Sequence, residues 1–382
     1  MAINTRSPYF TDSPVLAAAT YATCNIYIYT GDKNTGAVNP PNYTIRKDIT
    51  SPNTFATFEV AELIRDFIDV NFDGTYSSVN QDAIWVLVVK DTFNAATSAQ
   101  NNERTLALDS FSYFEDPNFN VDNTSAMISN NIIYHLNGDG FTIPINTLNN
   151  PTLTFTKNNV VTATKIYTSS TLSDEQIKYA TGNPLGTTLA EYQAYVLADG
   201  GTFESSTCLQ SFFDASFVPD FDKIQITDDN GTSFITVKII DECKYEPKKI
   251  TFINKFGALQ DMYFFKKSVE KMNIKKESYK SNIITSGNTY SINNHVNRDF
   301  NVVGKESITL SSGFLSEEYN EVFKQMLLSE KVWITNYING VEQVLPLNIK
   351  TSNITYKTSL NDKLVEYTFD FDNSYDTINN IR

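Results

Sequence analysis

The first third of the chain alternates apolar and polar side chains with a period of two. The segment CNIYIYTG (residues 24–31) places its two isoleucines on one face of a strand and its two tyrosines on the other. The segment AIWVLVVKDTF (residues 83–93) is a mostly apolar run of strand length. Short strands with turn residues between them are typical of a β-sandwich.

One helix interrupts this series. In EVAELIRDFIDV (residues 59–70) the apolar positions follow the 3.6-residue period of an amphipathic helix. They are Val60, Leu63, Ile64, Phe67 and Ile68. The pattern predicts a helix with one apolar stripe.

The middle of the chain is less regular. Residues 126–145 and 151–170 predict strands around Asn and Gly turns, and residues 222–241 predict a hairpin around Asp229, Asn230 and Gly231. Two short helices are predicted between these segments, because each has a capping box at its start. The boxes are Ser173 with Gln176 and Thr188 with Glu191.

The last third is the most patterned. SEEYNEVFKQMLLSEK (residues 316–331) predicts a helix capped by Ser316. Its apolar stripe consists of Tyr319, Val322, Phe323, Met326 and Leu327. Residues 331–349 predict a hairpin on Asn339-Gly340. Residues 353–372 predict a second hairpin, whose return strand has Val365, Tyr367, Phe369 and Phe371 on one face.

These elements predict a mainly β, multi-domain, β-sandwich-like protein with a few short helices. We expect three domains. Residues 1–120 form a β-sandwich domain, residues 121–247 a middle β domain with a short helical insertion, and residues 248–382 an α+β domain.

The segment KKITFINKFGALQDMYFFKKSVEK (residues 248–271) is unusually rich in aromatic residues. It predicts a strand ended by Gly257 and a second strand that resumes at Asp261. Aromatic side chains on both faces are explained either by burial inside the chain or by a subunit interface, since Tyr, Phe and Met are enriched at interfaces. We predict that neighbouring subunits bury part of this set: Phe252, Phe256, Tyr263, Phe264 and Phe265.

Composition and charge limit the classes of partner. The chain has 382 residues, 41% of them hydrophobic, and a formal net charge of −14. Such an acidic surface repels phosphate backbones, which disfavours binding to nucleic acid over a broad face. Asp12, Ser13 and Pro14 interrupt the N-terminal segment before any apolar run, and no segment reaches the ~18 apolar residues of a membrane span. We therefore expect synthesis in the cytosol and no membrane insertion.

Three cysteines are too few and too widely spaced for a disulfide framework. We expect Cys24, Cys208 and Cys243 to be buried free thiols.

DVNFDG (residues 69–74) begins like a calcium loop, with Asp69, Asn71 and Asp73 at the ligand positions. The twelfth position of such a loop needs a bidentate carboxylate, but here it is Asn80. A polar turn after a helix is the favoured interpretation, with a weak calcium site as the alternative.

Other candidate chemistry is weak as well. His135 and His295 have no second His or Cys at ligand spacing. Aspartates occur in pairs that two separate strands could use for glycoside hydrolysis. The pairs are Asp220 with Asp222, Asp228 with Asp229, and Asp370 with Asp372. A solvated β surface is the favoured interpretation of these pairs, and we predict no catalytic residue, no cofactor and no metal.

Several motifs carry a resemblance to a known group of proteins. They are ITFINKFGALQDMYFFKKS (250–268), NRDFNVVGKESITLSSGFLSEEYNEVFKQMLLSEKVWI (297–334), VEYTFDFDNSYDTINNIR (365–382), YQAYVLADGGTFES (192–205), and the opening MAINTRSPYF with its FEVAELIRDFI helix. The chain resembles virion structural proteins of phages that infect Bacteroidetes, including the crAss-like podophages. The resemblance covers most of the chain and is strongest after Lys248.

The resemblance implies a non-enzymatic structural protein of the phage neck or tail, in a collar or ring around the portal–tail axis. It implies a homo-oligomer, a high-order cyclic ring, that contacts other neck, tail and portal proteins in the virion after assembly in the host cytoplasm. Sequence-specific nucleic-acid binding is not expected. The alternative is a receptor- or glycan-binding fibre module, and a carbohydrate hydrolase is a third and weaker hypothesis.

Overall fold

The computed structural model describes residues 2–30, 40–76, 83–146, 151–166, 210–215, 221–229, 231–338, 341–355 and 364–378. The chain is mainly β and contains several sheets, which confirms the predicted fold class. The α-helices of the described part, α1 (Ala61–Arg65) and α2 (Asn320–Leu328), are both short.

The N-terminal region contains one five-stranded and one two-stranded sheet. Its strands are β1 (Ile3–Asn4), β2 (Phe10–Asp12), β3 (Tyr21–Tyr29), β4 (Tyr43–Asp48), β5 (Thr57–Glu59), β6 (Ala83–Phe93) and β7 (Ser98–Leu108). The strand orders are β1-β7-β6-β3-β4 and β2-β5. The predicted alternation of β3 is confirmed, because Ala22, Cys24 and Ile26 are buried while their neighbours are half-buried. Val86, Phe58 and Ile64 complete this core from β6, β5 and α1.

The middle region also has two sheets. Its strands are β8 (Ile132–Leu136), β9 (Phe141–Asn146), β10 (Thr152–Lys157), β11 (Val160–Ile166), β12 (Gln210–Ala215), β13 (Lys223–Asp228) and β14 (Gly231–Ile240). The orders are β11-β10-β13-β14-β8 and β12-β9. The predicted hairpin is confirmed, with Asp228 opposite Gly231. Gly231 has a φ of +134°, a backbone conformation that other residues rarely adopt.

The C-terminal region is built on a seven-stranded sheet. Its strands are β15 (Lys248–Ile253), β16 (Leu259–Phe264), β17 (Val269–Lys280), β18 (Asn297–Ser311), β19 (Leu315–Ser316), β20 (Val332–Ile338), β21 (Val341–Ile349), β22 (Leu364–Val365) and β23 (Thr368–Asn373). The order is β16-β15-β20-β21-β23-β18-β17, and β19 pairs separately with β22. The first predicted hairpin is confirmed, since Ile338 lies opposite Val341. Residues 339 and 340 themselves lie outside the described residues.

The second predicted hairpin is wrong in the pairing of its return strand, while residues 356–363, with most of its first strand, lie outside the described residues. The return segment divides into β22, which pairs with β19, and β23, which lies between β18 and β21. A central position gives β23 a partner on each edge, which a lone hairpin would not. The predicted face is confirmed, because Val365, Tyr367, Phe369 and Phe371 are all buried.

Both described helices differ from their predictions at the ends. α1 stops at Arg65 because the next two amides, Phe67 N and Ile68 N, bond three residues back instead of four. Before α2 there is a 3₁₀ turn (Glu317–Tyr319), and Ser316 makes no side-chain capping bond. The stripe is otherwise confirmed, since Leu327 is half-buried and the other four residues are buried. The helices predicted after Ser173 and Thr188 lie outside the described residues.

The chain divides into two compact units. The first consists of Met1–Asp241, Thr251–Met262 and Glu321–Glu330, and the second of Glu242–Ile250, Tyr263–Asn320 and Lys331–Arg382. Sheet membership changes close to the predicted boundaries at 120 and 247. Two stretches of the predicted third domain nevertheless group with the N-terminal residues.

Candidate assembly interface

The chain itself buries all five aromatic residues predicted at a subunit interface. The exposed fraction is 0% for Phe252 and Phe264, 2% for Phe265, 4% for Tyr263 and 7% for Phe256. The expectation that neighbouring subunits bury part of this set is therefore wrong. The reason is local packing: Phe264 lies edge-on to Phe369 and Phe371, and Phe256 packs with Leu108 and Met127.

The turn after β15 explains why this segment is internal. Asn254 is fully buried, and its amide donates to Met127 O at 2.7 Å and to Gln260 Oε1 at 2.9 Å. Its Oδ1 accepts from Phe256 N at 2.9 Å and from Ala258 N at 3.2 Å. Every hydrogen-bonding position of this amide is thus satisfied within the first unit.

Gln325 on α2 extends the same network. It is fully buried, its Oε1 accepts from Lys255 N at 3.0 Å, and its Nε2 donates to Glu321 Oε1 at 2.8 Å. Ser129 lies between the two glutamines, with its Oγ 2.7 Å from Gln325 Oε1 and 2.8 Å from Gln260 Oε1. We call Asn254–Ala258, Ser129, Gln260 and Gln325 the amide hub. These hydrogen bonds tie β15, β16 and α2 to Ser129 and indicate a structural role for the hub.

The side chain of Lys255 extends from the hub and lies among three aromatic rings. Its Nζ lies 4.5 Å from the ring centroid of Phe119, 5.2 Å from that of Phe256 and 5.4 Å from that of Tyr113. Burial lowers the pKa of Lys255, while the charges of Glu321 and Asp116 raise it in part. The cation–π contacts indicate packing rather than catalysis.

Where they are described, His135 and the aspartates Asp370 and Asp372 contact neighbouring groups of the chain, while His295 is exposed. His135 is buried against Phe141, with its Nε2 3.2 Å from Asp139 O, and His295 is exposed. Asp372 lies 3.4 Å from Lys350 and 3.7 Å from Lys305, and Asp370 accepts a hydrogen bond from Thr309.

The remaining aspartates form no cluster with these. Asp222 accepts from Asn158 N at 3.0 Å, while Asp228 and Asp229 lie at the β13–β14 turn. Asp220 falls outside the described residues. Within the described ranges, no group of three His, Cys, Asp or Glu side chains could hold a metal ion.

The DVNFDG segment is a turn in the structure. Asp73 Oδ1 accepts from Thr75 N at 2.9 Å, and this hydrogen bond lowers the pKa of Asp73. Gly74 follows with a φ of +98°. Asp69 and Asn71 precede this turn, and Asn80 lies outside the described residues.

The two described cysteines differ in burial. Cys24 is a buried free thiol, and burial raises its pKa to about 11, which Lys90 offsets in part. Cys243 is a free thiol but exposed, so the expectation of burial is wrong there. It lies in the connection between β14 and β15 and faces no core. Cys208 falls outside the described residues.

The exposed candidate that the sequence did not reveal is a long β-ribbon, which we call the arm (Val269–Ser311). It consists of β17, a connecting segment and β18, and it forms one edge of the seven-stranded sheet. β18 pairs with β23 only at Ser307–Ser311, and Gly304 O accepts from Thr377 N at 2.8 Å. Beyond Gly304 the two strands pair with each other, from Lys275 opposite Val303 to Lys280 opposite Asn297.

We call Val269–Val303 the outer arm, and nearly all of it is exposed. From Val269 to Val303 every residue is exposed except Ser281, Ile283 and Val303, which are half-exposed. Apolar side chains occur along its length, and Ile292 on the connecting segment is 90% exposed. The others are Val269, Met272, Ile274, Tyr279, Ile284, Tyr290, Val296, Phe300 and Val302. A two-stranded ribbon is at best marginally stable alone in water, so these side chains favour a contact with another molecule.

The buried face of the sheet continues into the arm. Glu270 lies opposite Ile308 and Met272 opposite Glu306, so Met272 and Ile274 share the face of the buried Ile308 and Leu310. A cleft of about 430 Å³ opens along this face, lined in part by Met272, Ile308, Ile334, Leu345 and Tyr375. Burial and the nearby Glu306 raise the pKa of Tyr375. The cleft makes this face of the sheet concave between the buried Ile308 and the exposed Met272.

One sequence signal could have identified the arm. The segment DMYFFKKSVEKMNI is predicted as one strand. In the structure it divides at Lys266–Ser268 into β16 and β17. Every large apolar side chain of β16 is buried, whereas β17 mixes its apolar residues with Lys271, Lys275, Lys276 and Lys280. Lysines repeated along a strand are typical of a solvent-exposed edge.

No protein-family model matches the chain, and a search of curated proteins returns no similar sequence. Among the described residues, no helix is long and apolar enough to span a membrane.

Proposed function

We propose that this protein is a non-enzymatic structural component of a phage particle, positioned in the collar or ring assembly of the neck and tail. The arm is the observation that carries the proposal. The resemblance of several motifs to virion proteins of Bacteroidetes phages is a separate argument for it. In this assignment the protein forms a homo-oligomeric ring around the portal–tail axis and contacts portal and tail proteins in the virion.

The arm supports an assembly role for an energetic reason. Each large apolar side chain that moves from water into a contact contributes about 1.5–3 kcal/mol. The outer arm presents Met272, Ile274, Tyr279 and Phe300 on a ribbon that its own sheet does not cover. A partner that covers them also stabilises the ribbon, which couples folding of the arm to assembly.

The location of the protein in particles tests the proposal. Antibodies raised against the purified protein and detected with gold in electron micrographs should label the neck or tail of intact particles. Labelling of fibres, together with binding of purified protein to host surface glycans, would instead support a receptor-binding module. Absence of the protein from purified particles would refute a virion role of either kind.

A further inference from the structure

The arm differs in charge from the rest of the chain. It contains six basic and four acidic side chains, a net charge of +2, whereas the whole chain carries −14. The remaining residues therefore carry −16. The excess of basic over acidic side chains in the arm is concentrated in its outer part, where Lys275, Lys280 and Arg298 are exposed. Lys276, by contrast, is paired with Asp299 at 2.8 Å.

Faces of the arm, rather than its outer edge, are suited to contact. Lysines along β17 oppose pairing with another strand, as on many natural edge strands. Glu277 lies opposite Phe300 and Tyr279 opposite Arg298, so these four side chains share one face of the outer arm. Tyr279 and Phe300 meet edge-to-face at 5.6 Å. Lys275, two positions before Glu277 on β17, shares this face. The face therefore combines two aromatic rings with two basic groups and one acidic group.

A surface of complementary character occurs in the first unit. Phe114 is 99% exposed, and Glu115 and Asp116 beside it are exposed as well. The loop is shaped by a backbone bond from Asp116 N to Tyr113 O at 3.0 Å. A fully exposed phenylalanine next to two carboxylates matches aromatic rings next to basic side chains, in both polarity and sign of charge.

We infer that the arm of one copy docks on the Phe114–Asp116 loop of a second copy of this chain. This inference rests on the proposed function and names the partner of the arm. The contact joins two different surfaces, so it is heterologous, and repetition closes a ring when the rotation between copies permits it. Opposite charges steer the encounter, and the aromatic rings supply the buried area.

The first experiment measures self-association of the full chain. Native mass spectrometry and light scattering across a concentration series give the dissociation constant at low salt. Lys275→Glu combined with Arg298→Glu should weaken self-association by about tenfold or more, because both basic charges of the docking face reverse. The matched control is Arg46→Glu combined with Lys244→Glu. It reverses two exposed charges outside the arm and should leave the dissociation constant unchanged.

A charge swap tests the receiving surface. Glu115→Lys combined with Asp116→Lys should weaken self-association to a similar degree, and joining these changes to the arm reversals should restore it. Restoration cannot be explained by misfolding, because a damaged fold is not repaired by two further substitutions. Phe114→Ser should weaken association at high salt as well as at low salt, since its contribution is apolar.

Shortening the arm gives a separate measurement. An Asn-Gly turn between Met272 and Glu306, in place of Asn273–Lys305, should leave a folded monomer by circular dichroism and scattering. Self-association unaffected by this deletion would overturn the inference while leaving a virion role intact. Loss of particle incorporation without loss of self-association would also overturn it, since the occupant would then be another virion protein. Arm-dependent binding to anionic vesicles, with self-association unchanged, would assign the arm to a membrane instead.

Discussion

The Asn254–Ala258 turn of the amide hub and the arm lie within 60 residues of each other in sequence, yet most of the turn is buried and most of the arm is exposed. In the hub, Asn254 satisfies all of its hydrogen-bonding positions inside the chain. In the arm, Met272 and Ile274 face solvent, and exposed lysines lie beside them at positions 271 and 275. The period of the apolar residues thus predicts which face of a strand is buried. The polar residues between them indicate whether the same chain buries that face, because buried amides need hydrogen-bond partners and lysines favour water.

A phenylalanine in each region provides the largest expected difference. Phe264→Ala removes a fully buried ring that contacts Phe369 and Phe371, and should destabilise the C-terminal sheet by about 3–5 kcal/mol. The control, Phe300→Ala, truncates a ring on the arm that is 45% exposed, and should cost less than about 1 kcal/mol.

Fluorescence of Trp333 in a Trp85→Phe background reports urea unfolding of this sheet, because the chain has two tryptophans and Trp333 lies on β20. Equal effects of the two alanine substitutions would contradict the division between a covered core and an exposed arm.

The amides are expected to differ nearly as much. Asn254→Ala leaves Met127 O, Phe256 N and Ala258 N without their partner, and each such buried group costs about 1–3 kcal/mol. Asn273→Ala on the arm is exposed and should change stability by less than about 0.5 kcal/mol.

Trp85 packs against the cluster of the first unit that contains Phe256 and Ala258, so its fluorescence in a Trp333→Phe background reports on the surroundings of the hub. A loss below about 1 kcal/mol for Asn254→Ala would show that water replaces the missing amide and that the hub is not rigid.

Two glycines extend the comparison to the backbone. Gly257 has a φ of +76°, and a Cβ there would lie 3.2 Å from the backbone of Asp109. Gly257→Ala should therefore destabilise the first unit by about 1–3 kcal/mol. Gly287 on the arm has 3.9 Å of space to its nearest neighbour, and Gly287→Ala should be nearly neutral. Thermal unfolding of the two variants tests this, and a neutral Gly257→Ala would mean that the Asn254 turn relaxes freely.

The sequence predicted most strands of this fold because their periodicity is local. The alternation of β3 and the Asn-Gly and Asp-Asn-Gly hairpin signals all lie within a few residues of the structure they specify. The pairing of β23 with β18 and β21 was not predictable in this way, since partners distant in sequence leave no local signal.

The prediction of a subunit interface in residues 248–271 was wrong for a related reason. Aromatic side chains on both faces of β15 and β16 predict a cover but not its source. The cover of Phe256 comes from Leu108 and Met127, more than 100 residues earlier. Asn254 and Gln325 were the informative residues, because uncharged amides amid an aromatic run predict internal hydrogen bonds.

The smallest expected effect concerns an ion pair in each region and its dependence on pH. Lys90, whose side chain is 5% exposed, lies 3.4 Å from Glu103 in the N-terminal sheet. Burial raises the pKa of Glu103, but the hydrogen bond from Tyr9, the charge of Lys90 and the hydrogen bond from Thr105 outweigh it and leave the pKa below its ordinary value. A depressed folded-state pKa means that Glu103 adds stability above its unfolded pKa, and that this stability is lost as pH falls through the folded value.

Unfolding of the first unit, followed by Trp85 between pH 7 and pH 3, should therefore show an acid loss that Glu103→Gln reduces. Lys276 and Asp299 on the arm lie closer together, at 2.8 Å, but both are largely exposed. Asp299→Asn should leave the same pH profile unchanged, since water and salt screen an exposed pair. A profile that responds to Asp299→Asn and not to Glu103→Gln would mean that proximity, rather than burial, determines which of the two pairs stabilises this protein.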